Sequence, residues 1–314
     1  MNRYISILLA GLAVASSTAC HEITEDNGTE SPLRPEIIAT KADYTANFRE
    51  SFSLSAYLVE PDKEPVTDYL WNMKMTLTGN KWVGEYPVFW MNGQEIEFYA
   101  VSPYFREQDS SRGIRPGTPG TSPLLYYDTP ESTVFQTDIL AGIDRRSSGV
   151  VQLEFNHITS CVRFAVGSNF EEGAKVKSIT ISGIAGSGTY HLDKGTWETG
   201  DRKYSVYDKD IGFTMKNGMG RGTIISERYF YLPAQNFTQD GDAVIHVSID
   251  EDEFITDGEI PLNGTTWEPG KIYTFYLNYY GGRFSATDTE TLFNAGHYEI
   301  DDSDEIEGEI KKDK

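Results

Sequence analysis

Cysteine is almost absent: the 314-residue chain has only Cys20 and Cys161. A disulfide framework is therefore excluded, and the fold must rest on apolar cores. Long hydrophobic runs are also missing. After the first 20 residues no segment reaches the about 18 consecutive apolar residues that a membrane-spanning helix needs. Positive charge is scarce, with 27 Lys and Arg against 48 Asp and Glu and a net charge of −21. That balance excludes nucleic acid as a partner, since binding it requires basic surface to displace counterions. The acidity itself names no other partner. Nor does any stretch carry a sustained i, i+3, i+4, i+7 apolar stripe.

Catalytic and metal signatures are lacking in the same way. His21, His157, His191, His246 and His297 are scattered, without HExxH spacing, and Cys161 has no CxxC partner. Two glycine-rich pieces, Gly183 to Gly188 and Gly218 to Gly222, mimic phosphate loops. Neither leads into a helical pattern, so the N–H cradle such a loop needs is not expected, and both are read as turns. Asp250 to Glu253 lacks the twelve-residue calcium-loop pattern and reads as a charged hairpin tip. No cofactor is implied, and the chain is read as non-enzymatic.

What is present begins with the first 20 residues. Arg3 supplies a short positive region, and Ile5 to Ala15 is an apolar run of signal-peptide length. Small residues, Ser16-Ser17-Thr18-Ala19, lead into Cys20. The pattern resembles a bacterial lipoprotein signal, in which Cys20 is lipidated and anchors the chain to a membrane surface. Ordinary cleavage after Ala19, with Cys20 unmodified, is the alternative. Residues 21–36 are polar and turn-rich and read as a solvated tether.

From there the periodicity is two. Phe52 to Leu58, Val151 to Phe155, Val162 to Val166, Ile179 to Ile181, Val244 to Ile249 and Tyr273 to Leu277 all alternate, filled by β-branched and aromatic residues. Asn92-Gly93, Lys194-Gly195, Asn217-Gly218 and Asn263-Gly264 mark turns between such runs. Many short strands with Gly- and Asn-rich turns indicate an all-β chain of sandwiches. The length allows two domains. A break at Asp144 to Gly149 divides an N-terminal sandwich, 37–146, from a C-terminal one, 147–281. Residues 106–123 read as a long polar loop, and the carboxylate-rich 282–314 as a disordered acidic tail.

Residues 80–105 hold Trp82, Tyr86, Phe89, Trp90, Phe98, Tyr99, Tyr104 and Phe105. This density raises the question of an exposed platform for a ligand such as a sugar. Parity argues for the interior. Met73 to Tyr86 forms a hairpin across Gly79-Asn80, and Glu95 to Ser102 a strand stopped by Pro103. Ile96, Phe98 and Ala100 then share a wholly apolar face, opposite Glu97, Tyr99 and Val101.

Several of these pieces fall together in order. Phe98-Tyr99-Ala100-Val101-Ser102-Pro103 is followed by Asp138-Ile139-Leu140-Ala141-Gly142, then by Val151-Gln152-Leu153-Glu154-Phe155-Asn156-His157 with Cys161-Val162-Arg163-Phe164. Tyr231-Leu232-Pro233-Ala234-Gln235 comes next, and Trp267-Glu268-Pro269-Gly270-Lys271-Ile272-Tyr273 closes the series. The set, over roughly 50–280, resembles the fimbrillin-like proteins, the type V pilus subunits of Gram-negative gut and oral anaerobes. The resemblance implies two tandem transthyretin-like β-sandwich domains and export as an outer-membrane lipoprotein, in line with Cys20. It implies a fimbrial subunit, anchor or tip at the cell surface, with other pilus subunits as partners through donor-strand insertion, and a host or bacterial surface receptor if the subunit is adhesive. In polymerising members an arginine-specific protease removes the first strand. Arg34 is followed by Pro35, a poor site, which leaves Arg49 as the candidate processing position, with an exposed strand-end residue as the plainer alternative. A different reading, suggested by the aromatic content, is a surface lipoprotein binding glycan for a nutrient-uptake system.

Overall fold

The computed structural model describes residues 31–32, 34–36, 51–59, 65–79, 81–91, 94–106, 112–115, 123–201, 203–239, 241–251, 254–292, 305–306 and 309–311. Cys20 and Arg49 lie outside them, as do the Asn92-Gly93 turn and most of the expected tether. Among the described residues the fold is all-β, and the only helical element is a 3₁₀ turn at Thr133–Phe135. The longer strands are, in chain order, β1 (Ser51–Val59), β2 (Pro65–Thr78), β3 (Lys81–Gly84), β4 (Glu95–Ser102), β5 (Leu124–Asp128) and β6 (Leu140–Arg146). They continue with β7 (Ser160–Phe170), β8 (Lys175–Ala185), β9 (Ser187–His191), β10 (Thr196–Thr199) and β11 (Lys203–Asp208). The last are β12 (Val244–Glu251), β13 (Phe254–Pro261), β14 (Lys271–Tyr280) and β15 (Arg283–Leu292).

A six-stranded antiparallel sheet runs Asn156–His157, β6, β4, β1, β2, β3. Its two faces feed two different cores. Phe52, Leu54, Ala56, Ile96, Phe98 and Ala100 join Trp90, Val151, Leu153 and Phe155 on one side. Tyr57, Tyr99 and Val101 join Phe105, Leu125, Tyr127, Tyr190 and Leu192 on the other. Strand β4 is thus covered on both faces, so that parity sorts its aromatics between two cores. The face carrying Glu97, expected to be the mixed one, buries Tyr99 and Val101 completely.

The third core lies between two further sheets. One runs Phe230–Leu232, β7, β14, β15, Glu305–Ile306, and the other β11, β8, β12, β13, Glu309–Lys311. Strands β7 and β14 pair in parallel, while β14 and β15 form an antiparallel hairpin. Phe164, Phe230, Phe275, Trp267 and Tyr279 fill this core, with Phe164 and Phe275 stacked at 5.7 Å.

Three expectations are corrected. Residues 283–292, assigned to a disordered tail, form strand β15. Gly281 and Gly282 both have positive φ, +58° and +69°, as a two-residue hairpin turn demands, and Tyr280 pairs directly with Arg283. Phe284 and Ala286 then fall on one face and enter the core. The polar loop at 106–123 contains a strand, Arg112–Arg115, paired with β5. Part of the expected tether is also paired: Ser31–Pro32 and Arg34–Glu36 are strands. A four-stranded sheet, β10, β9, β5 and Arg112–Arg115, joins segments from both sides of residue 147.

Candidate functional site

The first described strands occupy a slot between two segments that are distant in sequence. Ser31 and Pro32 pair antiparallel with Trp90 and Phe89, and Arg34 to Glu36 pair in parallel with Val150 to Gln152. No described pairing links Phe89–Trp90 to Val150–Gln152. Ser31–Pro32 and Arg34–Glu36 therefore supply main-chain partners that these two segments are not seen to supply to each other among the described residues.

The slot lies against the apolar face of the six-stranded sheet. Trp90 is 7% exposed and packs edge-on against Phe98 at 5.8 Å, and Val151 is fully buried in the same core. Phe52 meets Trp82 at 4.8 Å and Phe155 at 5.4 Å, both edge-on. The Tyr69 hydroxyl accepts from the Phe89 N–H at 3.1 Å and donates to the Phe89 carbonyl, which pins that side of the slot. On the other side Gly142 permits a close approach, since a Cβ there would meet the Glu154 carbonyl oxygen at 2.8 Å. Beside edge strand β3 the same face opens into a groove of about 370 Å³ lined by Leu54, Met73, Met75, Trp82 and Val88. Of the sequence-selected aromatics, Trp90, Phe98, Tyr99 and Phe105 are buried and Trp82 is half-buried, whereas Tyr86 is 50% exposed.

The quoted motifs meet at a buried junction near this slot. Asp138 Oδ2 lies 2.6 Å from His157 Nδ1, and Asp138 Oδ1 accepts from Thr159 Oγ1 at 3.1 Å. Trp197 Nε1–H donates to the Ile158 carbonyl, which ties β10 to the same corner. Cys161 is fully buried beside it. Burial, aided by the Asp138 charge and opposed by Arg163, pushes its thiol pKa well up, the reverse of what a nucleophile requires. Arg163 is itself buried and donates from Nε to Thr274 Oγ1 at 2.8 Å. His191 faces Glu198 at 3.4 Å and His246 faces Glu259 at 3.5 Å, so three of the scattered histidines sit beside carboxylates. Among the described residues no group of three His, Cys, Asp or Glu converges as metal ligands.

A fimbrillin-like family profile matches residues 39–295, from before β1 to the end of β15. The chain belongs to the fimbrillin-like family. Solved structures share the fold of this fimbrillin-like protein. A candidate cell adhesion protein from Bacteroides ovatus is 13% identical with a TM-score of 0.54, over 83% of this chain and 96% of that one. Another, from Bacteroides uniformis, is 11% identical with a TM-score of 0.51, over 85% and 99%. A third, from Parabacteroides distasonis, is 10% identical with a TM-score of 0.50, over 84% and 95%. No match is found among curated proteins.

The slot was not legible in the sequence of this fimbrillin-like chain. Residues 31–36, with Pro32 and Pro35, show no alternating apolar run. Their pairing depends on segments that only the folded chain brings alongside.

Proposed function

We propose that this fimbrillin-like protein is a non-enzymatic fimbrial subunit of the cell surface that assembles with neighbouring subunits by β-strand exchange. Family membership supports the fimbrial role. One observation carries the exchange: the strands Ser31–Pro32 and Arg34–Glu36 lie N-terminal to Arg49 and pair with Phe89–Trp90 and Val150–Gln152 respectively, and no described pairing links those two segments to each other. Cleavage after Arg49 would leave both segments with unpaired backbone groups above an apolar core. An incoming strand relieves that cost by β-augmentation. In this reading the units 37–146 and 147–281, the second extended by β15, are tandem sandwiches. Cys20, acylated, holds the unprocessed subunit at the outer membrane.

The test is controlled proteolysis of the mature chain with an arginine-specific protease, followed by mass spectrometry and unheated SDS gels. Cutting between Arg49 and Glu50 should release a fragment containing residues 31–36 and give a ladder of oligomers, and Arg49→Ala should suppress both. A chain that loses the fragment yet stays monomeric and takes up no added strand would rule out exchange. Mass spectrometry of the cell-bound N-terminus reports separately on acylation of Cys20.

A further inference from the structure

Two Asn-Gly pairs fall within the described residues, and each occupies the middle of a four-residue turn. In the first, the Met219 N–H donates to the Lys216 carbonyl at 3.2 Å across Asn217-Gly218. In the second, the Thr265 N–H donates to the Leu262 carbonyl at 3.0 Å across Asn263-Gly264. Gly218 has φ +86° and Gly264 has φ +76°, a conformation that glycine adopts without steric cost at the third turn position. All four residues are exposed. Dipeptide, turn geometry and solvent access are thus matched between the two sites.

Their glycine nitrogens differ. The Gly264 N–H donates to the Phe237 carbonyl at 3.0 Å, and a Cβ on Gly264 would meet Gln239 Nε2 at 2.1 Å. That nitrogen is engaged and its surroundings are crowded. The Gly218 N–H has no acceptor among the described residues, and a Cβ on Gly218 would meet nothing within 4 Å. Only at Gly218 is the main-chain nitrogen left open to the asparagine side chain that precedes it.

An asparagine beside such a nitrogen loses its amide with water as the sole co-reactant. Hydroxide takes the proton of the Gly218 N–H, and the nitrogen attacks Asn217 Cγ. The Cγ–Nδ2 bond breaks, and ammonia leaves with a proton from water, closing a succinimide ring. Water then adds to one of the two ring carbonyls. Opening at one gives aspartate; opening at the other gives isoaspartate, which carries an extra methylene in the main chain. The reacting groups sit on adjacent residues, so proximity supplies the advantage.

We propose that Asn217 is a site of spontaneous deamidation in the folded chain, and that Asn263 is protected by the hydrogen bond from Gly264 to Phe237. The change adds a negative charge beside Lys216. It also alters the turn that leads into 222–225, the segment laid along β7 by Gly222 N–H to the Val166 carbonyl at 2.8 Å and Ile225 N–H to the Phe164 carbonyl at 3.0 Å. The inference does not depend on strand exchange.

The experiment incubates the purified mature chain at pH 6 and pH 8, folded and in urea, and follows both asparagines by peptide mapping with mass spectrometry. Labelling with an isoaspartyl methyltransferase separates the two products. In the folded chain the Asn217 peptide should show the mass of an amide turned acid, sooner at pH 8 than at pH 6. Asn263 should convert about tenfold more slowly, because its glycine hydrogen bond must first break. In urea, which removes both turns, the two rates should converge. Asn217→Gln should keep its amide, remove the new acidic species on isoelectric focusing and leave Asn263 as before. An Asn217 that keeps its amide in the folded chain while the urea sample converts overturns the proposal. So do equal rates at the two sites in the folded chain, or a gap between them that persists in urea.

Discussion

Asp138 Oδ2 and His157 Nδ1 lie 2.6 Å apart with both side chains buried. Asp138 precedes β6 and His157 pairs with Leu140, the first residue of that strand. The contact therefore closes the corner between the start of β6 and Asn156–His157. Because Thr159 Oγ1 donates to the other carboxylate oxygen, removing Asp138 strands two donors at once.

Asp138→Ala should accordingly destabilise the fold by about 3–5 kcal/mol, the usual cost of breaking a buried polar pair from one side. Urea denaturation followed by tryptophan fluorescence measures it. A loss below about 1 kcal/mol, the range of an exposed pair, would mean that the corner does not support the fold.

Cys161 should not react with an alkylating reagent at pH 8 in the native chain. Its thiol is fully buried and its pKa is raised, so thiolate is scarce and access is closed. Denaturation should restore one reactive thiol in a chain whose Cys20 is acylated. Rapid native labelling at Cys161, located by peptide mapping, would contradict the packing of β7.

Tyr190 gives an alkaline limit. Burial raises its phenol from about 10 to about 12. A group with a raised folded pKa stabilises fully below its unfolded pKa and loses that contribution as pH rises through the folded value. The window is thus about pH 10 to 12, and the loss at its top is about 3 kcal/mol. Tyr190→Phe should flatten this part of the stability profile, and denaturant midpoints across the window check it. An unchanged slope would show that other groups govern alkaline unfolding.

Ending the chain after Gly282 should unfold or aggregate the protein, because β15 covers β14 and contributes Phe284 and Ala286 to the largest core. Phe284→Ala in the full chain should cost about 3–5 kcal/mol. Size-exclusion chromatography and thermal melts decide both. A monomeric, fully stable truncation would restore the tail reading of 282–292.

Legibility followed locality. The hairpin over Gly79 and the span of β4 were readable because alternation and turn residues are written in adjacent positions. Strand β15 was missed because its polar letters, Thr287, Asp288 and Glu290, mask a short buried pair at Phe284 and Ala286. The better signal was the Gly281-Gly282 pair, which specifies a two-residue hairpin. The bulge at Asn72 had no comparable signal, because a one-residue register slip is something alternation cannot show.

The sequence by itself determined the class of this protein: strand periodicity, an order of motifs shared with the fimbrillin-like family, and the absence of catalytic and metal spacing. These are properties of neighbouring letters. Only the tertiary structure decided that β4 is buried on both faces, that Asp138 meets His157, and that residues 31–36 lie between Phe89–Trp90 and Val150–Gln152. The physical reason is that pairing and burial are settled between segments some 20 to over 100 residues apart, and a linear pattern records which face a residue takes but not what covers it.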